Sequence, residues 1–188
     1  MSRPDISFPM ETIEQDAISE AIETLGYLSP NAFDSVKDML KDSMRLGPRA
    51  VATAHRKNGR QISDEAKKVL GIRRNAFMSE KALSELTEKG RSKPLHAHFA
   101  TVWRASFTIS RANKIHAYNE HSLKFRHDCT LRYRGVHSEG CSHCDQTRGQ
   151  IIPMSEASPF PPKECPNEGC CMGFEIHIDY AAHFKRGL

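Results

Sequence analysis

Cys141-Ser-His-Cys144 is followed, after twenty intervening residues, by Cys165-Pro-Asn-Glu-Gly-Cys170-Cys171. Two short cysteine turns joined by a loop of this length bring four thiolates to one ion, and Zn²⁺ takes four such ligands at about 2.3 Å. The spacing assigns Cys141, Cys144, Cys165 and Cys170 as ligands, with Cys171 the alternative fourth. Cys170 is preferred because Gly169 beside it can take the positive φ of such a turn. His137 and His177 flank the cage as substitutes should one cysteine not bind, while His143 lies inside the first turn and points outward. Cys129 reads as a small buried hydrophobe. His96 and His98 stand two apart on a predicted helix, do not share a face, and are weak metal candidates.

Four thiolates close a coordination sphere and leave no position for water, the mark of a structural rather than catalytic zinc. A redox dithiol would start a helix after a strand in a βαβ setting, and that context is not visible. The nearest catalytic alternative is a divergent zinc-dependent nuclease of the His-Asn-His type. Its general base would fall in Gly149-Gln150-Ile151-Ile152-Pro153, and Gln150 cannot accept a proton. The H-x-E and P-C-x-x-C deaminase pair, a Walker loop, a G-x-S-x-G elbow and a dinucleotide glycine pattern are absent. The expectation is a non-enzyme.

Charge is the second source of chemistry. The net charge is +4, but residues 1–30 hold six acids against Arg3, whereas residues 55–74 carry Arg56, Lys57, Arg60, Lys67, Lys68, Arg73 and Arg74 against Asp64 and Glu65. A further basic stretch runs from Arg111 to Arg134. This polarity fits an acidic end for one partner and a basic middle for phosphates, or solvated helix faces. No apolar run approaches the roughly 18–20 residues that cross a bilayer, so no membrane partner is expected. The start lacks the apolar core of a secretory signal, and a reducing compartment favours metal ligation over disulfides.

The elements that must position these groups follow from periodicity. Apolar spacing predicts helices over Glu11–Leu25, stopped by Gly26, and from Pro30-Asn31 to Gly47-Pro48. Shorter helices follow over Pro48–Arg56, from Ser63 to near Gly71, and from Ser79 to a stop at Gly90. Pro94 opens the longest, reaching about His127, with Leu95, Phe99, Val102, Trp103, Ser106, Ile109 and Ile115 as its apolar face and core spine. Alternation predicts strands at Leu131–Tyr133, Ile151-Ile152 and Phe174–Ile178, with a stiff proline-rich connection over 153–163. The expected fold is mainly α with a small C-terminal α+β zinc-stabilised module of short antiparallel strands. Its domains are a helical region at 1–93, then the long helix with its zinc knuckle at 94–188.

In order, residues 108–178 contain Thr108-Ile-Ser-Arg111-Ala-Asn, Ala117-Tyr118-Asn119, Cys141-x-x-Cys144, Gly149, Pro161-Pro162 and the closing cysteines. This resembles the C-terminal region of the phage head-morphogenesis family, the minor head proteins of Mu-like and related tailed phages. That family reads approximately R-[ST]-E…A-Y-N…C-x-x-C…G…P-P-x-H-P-x-C-x-C. Arg111, Tyr118, Asn119, Cys141, Cys144, Gly149 and Pro161-Pro162 match. Cys165 stands for the family's histidine, an exchange that preserves zinc binding. The last turn is two residues longer, leaving Cys170 and Cys171 both candidates, and no glutamate follows Arg111.

The resemblance implies a structural minor head protein with structural Zn²⁺, located in the virion by the capsid interior or portal and in the host cytoplasm during assembly. Portal or capsid proteins would be its partners, with packaged DNA a further candidate. The alternative is a zinc-containing nucleic-acid-binding regulator using Arg56–Arg74 and the basic side of Arg111–Arg134.

Overall fold

A computed structural model of the chain describes residues 10–124, 129–134, 141–162, 168 and 172–181. It is mainly helical, with a three-stranded antiparallel sheet towards the C-terminus among the described residues. Two compact units are present: residues 14–106, and the described residues from Phe107 onward together with the start of the first helix. The division thus falls inside the long helix rather than at 93/94. No described helix is long and apolar enough to cross a membrane.

In the first unit, α1 (Met10–Leu25) buries Ala17, Ile18, Ala21, Ile22 and Leu25. It stops at Gly26, whose φ of 61° is accessible to glycine at little cost. A 3₁₀ turn (Pro30–Ala32) leads into α2 (Phe33–Leu46), and Gly47-Pro48 separates α2 from α3 (Pro48–Lys57). α4 (Asp64–Val69) and α5 (Glu80–Ser84) are capped by Ser63 and Ser79, each hydroxyl accepting a backbone N–H of the first turn.

The helix expected from Ser79 to Gly90 is two. α5 ends near Glu85, and α6 (Glu88–Ser92) begins behind the Thr87 cap. Thr87 donates its hydroxyl to the Gly26 carbonyl at 2.6 Å, and Leu86 bridges Leu28. These ties turn the chain back before a continuous helix can form. Gly90 is therefore no stop signal. It lies within α6 against the Tyr27 backbone, where a Cβ would stand 2.0 Å from the Tyr27 oxygen.

α7 (Ala97–Asn119) is the longest helix, its last turn widening to π geometry over Glu120–Lys124. It starts three residues later than expected, after a turn over Pro94–His96, and residues 125–127 lie outside the described set. Its buried face keeps Val102 and Ile115 of the expected one but differs elsewhere. Leu95 is exposed, and Phe99, Trp103, Ser106 and Ile109 are only half-buried. The fully covered positions are Ala97, His98, Thr101, Val102, Ala105, Thr108, Arg111, Ala112 and Ile115. Small residues admit close neighbours, and the polar members keep bonding partners after burial. Thr101 donates to the Ala97 carbonyl at 3.0 Å, and the buried Arg104 grips Glu20 through Nε at 2.9 Å.

In the second unit, β1 (Cys129–Arg134) lies between β2 (Ile151–Ile152) and β3 (Gly173–Ile178). Leu131 pairs with Ile152 and Ile176, and Tyr133 with Phe174. Alternation sends Leu131, Ile152 and Phe174 inward against Ile115 and Tyr118 of α7, with Cys129 buried among them as expected. A short α8 (Ser142–Thr147), with Cys141 at its N-cap and Cys144 within it, precedes β2.

Candidate functional site

Cys141 takes the position before the first turn of α8, and Cys144 lies in that turn. Both are buried against Met172 and the Tyr133 ring. Three residues of helical spacing put the two thiols on one side, as a shared ion requires. The C-x-x-C therefore starts a helix, which sequence reasoning had not anticipated, although its sheet is antiparallel rather than βαβ. Gly149, with φ 76°, turns the chain out of α8, and its N–H donates to the Tyr133 carbonyl at 2.8 Å.

Cys165, Cys170, Cys171, Gly169 and His137 lie outside the described residues, as does the side chain of His143. Met172, the residue after Cys171, packs on the first pair, and its sulfur accepts from the Thr147 hydroxyl at 3.6 Å. His177 is exposed, four residues along β3 from Gly173. Gln150 donates its amide to the Gln146 carbonyl at 2.8 Å, so the position a nuclease would give to its base is occupied in closing α8.

Arg111 organises this module. Only 1% exposed, it donates from Nε to the Pro159 carbonyl at 2.5 Å, from Nη1 to the Met172 carbonyl at 2.9 Å and from Nη2 to Thr108 Oγ1 at 3.0 Å. Its rigid fork joins α7 to the proline-rich connection and to the chain leaving the second cysteine cluster. Tyr118 donates its hydroxyl to the Cys129 carbonyl at 3.4 Å, and Asn119 is buried. Neither Arg111 nor Arg56, which is 7% exposed, belongs to a phosphate-binding surface.

Of the other basic candidates, Lys57, Arg60, Lys68, Arg73 and Arg74 are exposed. Lys67 is half-buried and donates to the Arg74 carbonyl at 2.9 Å. Arg74 pairs with Asp64 at 2.6 Å, Arg60 with Glu80 at 3.2 Å, and Lys57 lies over the Phe77 ring.

A second constellation lies in the first unit, where the sequence offered only His98, as a weak metal candidate, and neither His55 nor Glu85. Glu85, at the end of α5, accepts from His55 Nε2 of α3 at 2.7 Å and from His98 Nε2 of α7 at 2.9 Å, both on Oε2. Ser35 of α2 donates to Oε1 at 2.6 Å. The Glu85 backbone is also held, its carbonyl accepting from Ser29 N–H and hydroxyl at 2.9 and 3.0 Å. Burial pushes the Glu85 carboxyl up, but the bonds from His55, His98 and Ser35 outweigh it and hold the group well below the usual carboxylate range. Burial pushes the His98 imidazole below its ordinary value despite the Glu85 bond. The donor set is thus a carboxylate and a neutral imidazole beside His55. The available sequence signal was His98 on the small-residue stripe of α7, a polar residue in a buried register.

No protein-family model matches the chain, and no curated protein or solved structure is detectably similar to it.

Proposed function

We propose that the chain is a structural minor head protein of a tailed phage or prophage, associated with portal or capsid proteins and assisting head assembly or DNA delivery. A structural zinc would be held by Cys141, Cys144, Cys165 and either Cys170 or Cys171. The buried, adjacent Cys141 and Cys144 suit half of such a cage, and thiolates are the ligands a structural zinc takes. When bound, the ion supplies cross-linking of the module and no chemistry.

One observation carries the reading. The residues by which the chain resembles the head-morphogenesis family, from 111 to 162, all lie in the second compact unit, where the buried Arg111 bonds the Pro159 and Met172 carbonyls. The regulator alternative is weakened because Arg56 and Arg111 are buried, and Arg60 and Arg74 already face carboxylates.

The test is protein and metal composition of purified particles by mass spectrometry with elemental analysis. Sub-stoichiometric presence with one zinc per chain is expected. Presence in infected-cell lysate with absence from particles would overturn the reading.

A further inference from the structure

The His55–Glu85–His98 group stands apart from the cysteine module and is absent from the family resemblance. Its donor atoms all lie within 4.8 Å of one another, and the three residues come from separate elements brought together only by folding. We propose that His55 Nε2, His98 Nε2 and a Glu85 carboxylate oxygen form a second divalent-metal site, for an ion of the zinc class, that staples α3, the end of α5 and α7.

The chemistry of the donors favours such an ion. Two imidazoles and one carboxylate are a set that zinc accepts in three-ligand sites, with a fourth position left for a solvent-derived ligand. Bond lengths of about 2.0–2.2 Å place tetrahedral ligands roughly 3.4 Å apart. The present nitrogen–oxygen separations of 2.7 and 2.9 Å need to widen by about 0.5–0.7 Å. Ser35 supplies the outer-shell bond that orients a ligating carboxylate.

Protons and metal exchange at the same atoms. Without metal, the two Nε2–H groups donate to Oε2, and with metal the Nε2 lone pairs bind the ion while the protons sit on Nδ1. His98 Nδ1 is buried without a hydrogen-bond partner, so the metal-bound tautomer leaves a buried N–H donor there, a cost that the ion's binding must offset. Access is from the His55 side, whose side chain is 11% exposed against 0% for His98. A substrate cannot reach an ion so enclosed, which makes the site a staple rather than a hydrolytic centre.

One term works against a dication. Arg56 is buried beside His55 in sequence, and its charge is felt at His98. Its Nε and Nη1 are buried without acceptors. A hydroxide or other small anion as fourth ligand reduces this excess of positive charge.

The experiment adds Co²⁺, then Zn²⁺, to the full-length chain after chelator treatment. Cobalt on thiolates gives a sulfur-to-metal charge-transfer band, whereas a nitrogen–oxygen site gives ligand-field absorption without it. Two binding phases are expected, the sulfur-free one lost in His55→Ala and Glu85→Gln with the thiolate band intact. Ser35→Ala should weaken that phase about 10–100-fold. Should the Glu85 variant not fold, the wild-type chain still decides. Its imidazole ¹⁵N spectra should move His55 and His98 from Nε2–H to Nδ1–H on Zn²⁺ addition. Cobalt uptake by thiolates alone, or His55 and His98 spectra unmoved by Zn²⁺, would overturn the proposal.

Discussion

Truncating Arg111 to alanine is the sharpest perturbation the second unit offers. The change removes the donors of the Pro159 and Met172 carbonyls from a site 1% exposed, and empties the volume of the guanidinium. A hydrogen bond to a charged donor contributes about 1.5–3 kcal/mol, so two such losses give about 3–6 kcal/mol. Water entering the vacated space recovers part of this, leaving about 3–4 kcal/mol, or two to three powers of ten in the local opening constant. Lysine keeps the charge but lacks the fork, so Arg111→Lys should lose roughly half as much. Hydrogen exchange by mass spectrometry is the assay, because it reports segment by segment. Protection should fall in β3 and the second half of α7 and stay unchanged in α2 and α3 of the other unit. A loss below about 1 kcal/mol, or one spread equally over both units, would refute the assignment of Arg111 as the module's organiser.

Gly90→Ala places a methyl 2.0 Å from the Tyr27 carbonyl oxygen, so α6 must move off that backbone; thermal unfolding should show a loss of 2 kcal/mol or more, on the order of a severe core overpacking. Acid should destabilise the first unit, because both perturbed groups bind protons more readily unfolded than folded. His98, depressed from 6.5, withdraws stability as pH falls below that value, and Glu85, depressed from 4.5, adds to the loss below its own. Unfolding free energies of the chelator-treated chain from urea titration, read by Trp103 fluorescence, should fall by about 1.4 kcal/mol per pH unit per proton, and values rising towards acid would contradict the assignment. Cys144→Ser should release the thiolate-bound metal and unfold the second unit, whereas Cys129→Ser should leave metal content unchanged, both read by elemental analysis and circular dichroism.

Local features of the chain were legible before folding was considered. Gly26 and Gly47-Pro48 end their helices, Ser63 and Ser79 cap theirs, and the alternation of Phe174, Ile176 and Ile178 marks β3. Each is a property of a few neighbouring residues, which is why spacing alone reveals it. Gly90 misled because its reason for being glycine is the Tyr27 backbone, sixty-three residues earlier. The face of α7 misled for a related cause. Hydrophobicity favoured Phe99 and Trp103, while the helix buried a stripe of alanine, threonine, His98 and Arg111. Small side chains permit closer approach than large ones, and buried polar groups are tolerable once partners arrive from elsewhere in the chain.

The sequence by itself determined most helix ends, the strands and the cysteine spacing, since these rest on short-range geometry. Only the tertiary structure decided which cations are buried, that Arg111 reaches the carbonyls of Pro159 and Met172, and that His55, Glu85 and His98 meet. Those facts depend on where distant side chains come to rest, and packing, not spacing, sets that.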